Sequence, residues 1–142
     1  GWDRLGGGYE FSNKMTTDDT ARLLYLIWRG AVVDPAACGE MLSIMKRTDE
    51  ARTFFSKIVP EGATLYSKGG STGVQRHDAG IFEMPDGGAV IIVAFTNNKP
   101  GGERSQIIET IAARILEDLD EMAGELDRPT AEPNPETDAR ID

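Results

Sequence analysis

Between Tyr66 and Gly80 the sequence reads YSKGGSTGVQRHDAG. A lysine, an arginine, four hydroxyl side chains and the chain's only histidine are interleaved there with glycines. Lys68 and Arg76 can hold an anion, and His77 can donate, accept or carry a proton. Ser71 and Thr72 supply hydroxyls, and Gly69 and Gly70 make the backbone flexible. From the residues alone three readings stay open: an ordinary hairpin, a phosphate loop, or one wall of an active site whose other walls lie elsewhere. The Gly-x4-Gly-Lys-Ser/Thr order of a Walker loop is absent. The run Gly6 to Gly8 follows no strand and so lacks the setting of a dinucleotide fingerprint. Taken singly, Lys68 is a surface lysine at a strand end, His77 a hydrogen-bonded structural histidine, and GGSTG a flexible turn.

The flanking patterns predict what positions these residues. TTDDTARLLYLIWRG reads as a helix capped by Thr16 or Thr17, with Asp18 and Asp19 at its positive end, an apolar stripe of Leu23, Leu24, Ile27 and Trp28, and Gly30 as its stop. A second helix follows Asp34 as cap and Pro35 at the first helical position, with Cys38, Met41, Leu42 and Met45 on one face. A short third helix is expected around Ala51 to Ile58, ended by Pro60. The period then changes. ATLYSKG, HDAGIFEM and GAVIIVAFT read as three strands, the last two joined in an antiparallel hairpin by the turn Pro85 to Gly88. A long helix is expected from about Glu103 to Met122, with Ile107, Ile108, Ile111, Ile115, Leu119 and Met122 facing the sheet. The fold class is α+β: helices first, then a three-stranded antiparallel sheet with a terminal helix on one face and the N-terminal helices on the other. Residues 1–123 form the domain, and 124–142, rich in proline and acids, read as a disordered tail.

Composition narrows the function classes. The chain has 142 residues, 24 acidic and 15 basic, for a net charge of −9. That excess disfavours nucleic-acid binding, which needs clustered Lys and Arg. No apolar run reaches a membrane span. One cysteine and one histidine give no expectation of a metal site, and no cofactor is expected. Cys38 sits in an apolar helical row and reads as a small core residue.

The order of elements resembles the C-terminal half of the serine β-lactamase and penicillin-binding-protein family, most closely the class A-like β-lactamases. NKMTTDDTARLLYLIWRG, IVPEGATLYSKGGSTG, RHDAGIFEMPDGGAVIIVAFTNN and ERSQIIETIAARILEDL carry the likeness, over most of residues 13 to 122. The family uses Ser-x-x-Lys, Ser-Asp-Asn and Lys-Thr/Ser-Gly motifs. By the resemblance Lys68 opens the third, where its ammonium favours an anionic substrate group. Gly70 lets the strand approach a ligand, and the Ser71 N–H matches a backbone oxyanion donor. Two positions depart from the pattern. Gly69 replaces the motif's hydroxyl residue, for which Ser71 or Thr72 could stand in. His77 occupies the place of the carboxylate-binding arginine, with Arg76 adjacent but directed to the opposite face. Ser43 to Lys46 spells Ser-x-x-Lys by chance, late in the second helix and too near Lys68. Ser12-Asn13-Lys14 is not Ser-Asp-Asn, and Glu10 does not match the catalytic glutamate of class A enzymes.

The resemblance therefore implies that the nucleophile lies on an N-terminal half outside this sequence, and that the chain alone is inactive. It implies a parent that forms an acyl-enzyme on β-lactams or related amides, and that is exported to the periplasm or secreted. A second reading is a non-catalytic binding or scaffold domain with a decayed pocket, supported by Gly69 and His77. A third is an unrelated α+β interaction domain. The expected partners are a small β-lactam-like substrate and either the N-terminal half or a second copy. The macromolecular partner would pair with the open edge of GAVIIVAFT, leaving Ile91, Ile92, Val93 and Phe95 partly uncovered without it.

Overall fold

A computed structural model of the chain describes residues 15–47, 53–71, 75–97 and 101–126. The glycine-rich start, the beginning of the expected third helix, Thr72 and the chain beyond residue 126 lie outside them. Helix α1 spans Thr17–Trp28 and opens as its sequence dictates. The Thr16 hydroxyl accepts the Asp19 N–H at 3.0 Å, and the Asp19 carboxylate accepts the Thr16 N–H at 3.2 Å, a closed capping box. Its end is equally local. Gly30 takes a φ of 70°, and the Ala31 N–H turns back to the Leu26 carbonyl at 2.8 Å. Helix α2 spans Pro35–Lys46, with the Asp34 carboxylate accepting the Ala37 N–H at 2.8 Å.

The strands are β1 (Thr64–Ser71), β2 (Gln75–Glu83) and β3 (Ala89–Asn97), antiparallel throughout and ordered β1-β2-β3. The hairpin turn closes through Gly87 N–H to the Met84 carbonyl at 3.0 Å, with Gly87 at a φ of 85°. Each face of the sheet has its own apolar cluster. Leu65, Phe82, Val90, Ile92 and Ala94 meet Phe55 and the final helix α3, Gly101–Leu126. Tyr66, Ala79, Ile81, Ile91 and Val93 meet Leu24, Trp28, Leu42 and Met45 of α1 and α2. Glu83 fastens α1 to the sheet, accepting from Tyr66 Oη at 2.9 Å and Trp28 Nε1 at 3.5 Å.

The short third helix expected before β1 is present, among the described residues, as the 3-10 helix Phe55–Ile58. The buried Asp78 carboxylate accepts the N–H groups of Phe54 and Phe55 at its start, and Pro60 stands two residues past its end. Two expectations need correction. Helix α3 runs on through Leu126, because Gly124 is followed by Glu and Leu, both good helix formers, instead of turning left-handed. The row of α3 that meets the sheet is Ile108, Ala112 and Leu116, while Ile107, Ile111, Ile115, Leu119 and Met122 are exposed. The small Ala112 admits the helix backbone close to the sheet and decides which of two adjacent rows is buried. Ile92 is consequently covered by α3, with only 7% exposure.

Candidate functional site

Strand alternation sorts the polar segment into two sets. Lys68, Gly70 and His77 lie on the face shared with α1 and α2. Gly69, Ser71, Arg76 and Asp78 lie on the face shared with α3. Register brings the first set together across strands: Gly70 pairs with His77, and His77 with Phe95. Arg76 and His77 therefore point apart, as expected. The Arg76 guanidinium donates to the Gln75 carbonyl at 3.2 Å, away from the first set.

Lys68, Gly69, Gly70, His77, Ala79 and Phe95 line one side of a groove of about 480 Å³. The other side is built from α1 and α2: Leu23, Leu24 and Ile27 from the first, Met41, Ile44 and Met45 from the second. The exposed Lys68 Nζ folds back onto the Gly69 carbonyl. A Cβ added to Gly70 would meet nothing within 4 Å, so the space above the strand is open to a ligand. The His77 ring packs on Phe95 with centroids 4.7 Å apart. Its Nδ1 accepts the Thr96 backbone N–H at 3.2 Å, which leaves the proton of the neutral imidazole on Nε2. The groove thus holds one cation, one aromatic N–H donor and glycine backbone in an otherwise apolar setting. It can orient an anionic group at one end of a largely apolar molecule.

Neither of the other candidate nucleophiles belongs to it. Ser43 is exposed on α2 and lines no part of the groove. Cys38 is buried, with its thiol donating to the Val32 carbonyl at 2.9 Å. Among the described residues no group of His, Cys, Asp and Glu could hold a metal ion, and no helix is long and apolar enough to cross a membrane.

Behind the site lies a residue that sequence reasoning passed over. Asp78 is fully buried. It accepts from Thr53 Oγ1 at 2.7 Å, Phe54 N–H at 2.6 Å, Phe55 N–H at 3.3 Å and Ala79 N–H at 3.0 Å. Burial pushes its carboxyl above the ordinary range, against the downward pull of those four donors. Asp78 ties the 3-10 turn to β2, directly beside His77. The signal available was an acid placed where strand alternation sends it inward. Gly80 is the second such residue. A Cβ there would stand 2.9 Å from Phe55 Cδ2, so only glycine lets that ring come so close to the strand.

Solved proteins share this fold. A β-lactamase from Sphaerobacter thermophilus matches at 25% identity and a TM-score of 0.59, over 68% of this chain and 37% of its own. PBP-A, solved as an acyl-enzyme complex with penicillin G, matches at 26% identity and a TM-score of 0.65, over 72% and 39%. The chromosome-encoded β-lactamase of Vibrio parahaemolyticus shares the fold, with a TM-score of 0.67 at 15% identity, over 74% and 41%. The chain thus spans about two-fifths of the length of these solved relatives. No curated protein matches. A sequence model of the β-lactamase enzyme family matches residues 4–119, from before α1 into the last helix. With the Lys68 strand, the hairpin and both helical layers all inside that match, the chain belongs to the β-lactamase enzyme family.

Proposed function

We propose that this chain forms one wall of the substrate site of a serine hydrolase that acts on β-lactams or related amide bonds through an acyl-enzyme. The observation that carries the reading is the convergence of Lys68, Gly70 and His77 on one groove, in a chain of this family. Lys68 attracts the anionic group of the substrate once it exchanges the Gly69 carbonyl for that group. His77 Nε2–H adds a neutral donor where an arginine would add charge. The open backbone at Gly70 receives the reacting carbonyl, and the Ser71 N–H is assigned to the oxyanion. Thr72 and Ser71 are assigned the hydroxyl contact that Gly69 cannot make, and Arg76 a peripheral electrostatic role from the opposite face. The nucleophile is assigned to polypeptide outside these residues, which also completes the sheet by pairing with β3; a second copy of the chain is the alternative occupant of that edge.

The test is mass spectrometry of the longer polypeptide after exposure to penicillin G. A covalent adduct on a serine, formed much more slowly after Lys68→Ala, is expected. Failure to acylate, in a folded protein that still binds penicillin reversibly at Lys68 and His77, would favour the second reading, a binding or scaffold domain. Gly69 and the apolar lining of the groove are what favour it now.

A further inference from the structure

The groove holds one histidine, and its hydrogen bonds fix what that histidine can offer. The Thr96 backbone N–H donates to His77 Nδ1 at 3.2 Å. An imidazolium carries a proton on each nitrogen and could not accept that bond, so this pose belongs to the neutral ring. Nε2 then carries the proton and acts as a donor, and among the described residues no acceptor meets it. Two neighbours hold the pose. The ring rests on Phe95, with centroids 4.7 Å apart and planes inclined at 53°. The Thr96 hydroxyl donates to the Arg76 carbonyl at 2.7 Å, which clamps Thr96 beside the residue that precedes His77. Across the strands His77 pairs with Gly70, which puts no side chain in front of the ring.

Charge in the groove is sparse. Among the described residues that line it, Lys68 is the only lysine, arginine or acid. The wall from α1 and α2 contributes Thr20 and otherwise leucine, isoleucine and methionine. The charged sequence neighbours of His77 lie on the other face of the sheet. Arg76 donates there to the Gln75 carbonyl, and Asp78 is enclosed by its four donors. The Lys68 ammonium is itself bonded to the Gly69 carbonyl. A carboxylate that enters must shed water in apolar surroundings and compete with that carbonyl for a single cation. An ester or amide carbonyl sheds water at much lower cost and accepts the same Nε2–H. The stronger pull of Lys68 on a carboxylate is thus largely offset by the heavier desolvation of the charge.

We propose that His77, fixed by Thr96 as a neutral donor, is a specificity-determining residue, and that it makes the groove accept an uncharged ester or amide carbonyl beside Lys68 about as well as a carboxylate. The inference rests on the hydrolase reading and narrows its substrate class. The substrates include β-lactams or related amides whose acidic end is capped as an ester or an amide. A permanent cation at position 77 would add charge-assisted bonds and, with them, a demand for the free acid.

Two measurements keep this inference distinguishable from the hydrolase reading. The 142-residue chain has one histidine, so long-range proton–nitrogen correlation spectra report its tautomer directly. The neutral ring should be in the Nε2–H form; a mixture, or a dominant Nδ1–H form, overturns the proposal whatever the activity. In the longer polypeptide, mass spectrometry should show penicillin G and its methyl ester acylating at rates within about ten-fold of each other. His77→Arg should raise the advantage of the free acid by about ten-fold or more. His77→Gln, whose amide keeps a neutral donor, should leave the ratio close to that of the unaltered protein. A larger acid advantage in the unaltered protein, or a ratio that His77→Arg does not move, overturns the proposal. If neither compound forms an adduct, the hydrolase reading fails. The same ratio is then read from reversible binding of the two compounds by the 142-residue chain, followed at the His77 ring signals. No response there to either compound overturns the inference as well.

Discussion

The two faces of the sheet are finished to different degrees. On the α3 face, Phe55, Phe82 and Ile108 are almost wholly shielded from water, and the buried Asp78 carboxylate is met by four donors. On the α1 and α2 face, the groove leaves Leu23, Ile44 and Phe95 between 39 and 56% exposed, beside Lys68 and His77. The finished face is the frame, and under the proposed function the open face is the one that meets substrate. A surface with that task cannot close on itself.

If that contrast is right, the largest effect is on catalysis. The 142-residue chain by itself should hydrolyse a chromogenic cephalosporin no faster than buffer. Robust turnover abolished by replacing a serine of this chain would break the division between frame and borrowed chemistry. The next effect is on the frame. Asp78→Ala strands the Thr53 hydroxyl and the N–H groups of Phe54, Phe55 and Ala79. It should cost about 3 kcal/mol or more and lower the thermal midpoint by roughly 10 °C.

The same residue sets a pH slope whose sign follows from its raised value. Below the ordinary aspartate range both folded and unfolded chains hold the proton. From there up to the folded value the unfolded chain has released it and the folded chain has not, so stability falls as pH rises, and then levels. Urea midpoints across that window should lose this component in Asp78→Asn; an unchanged slope would show that the four donors outweigh burial. A smaller effect is expected for Gly80→Ala, whose methyl collides with Phe55 and Leu65, at about 1–3 kcal/mol by denaturant titration. The smallest tests the open face: Ile44→Gln should change stability by no more than about 0.5 kcal/mol. A large loss there would mean the groove is packed in solution and not free to receive anything.

Where local chemistry sufficed, the fold was legible. The Thr16 and Asp34 caps, the Gly30 stop, the Pro85 to Gly88 turn and all three strands follow from residues within a few positions of one another. That Arg76 turns away from His77 followed from alternation alone, whereas the sharing of one face by Lys68, Gly70 and His77 also needed the strand register. Features set by distant packing were not legible. Two apolar rows on α3 compete equally by period, and only the close fit of Ala112 against the sheet selects one. The 3-10 turn depends on Asp78, more than 20 positions further along the chain. The apolar groove that surrounds Lys68 comes from helices whose docking angle no sequence period encodes. The reading as an unrelated interaction domain falls with the family match over residues 4–119.

The sheet has one further property, and it concerns time. Its spatial order, β1-β2-β3, is also its order along the chain. Each strand pairs with the next, so no long loop has to close before the ladder can grow. Topologies dominated by such short-range contacts fold quickly, and a hairpin forms in about 1–10 μs. The strand that bears Lys68 can therefore be set against His77 early in folding. Under the proposed function, the substrate wall would form first and the complete site last.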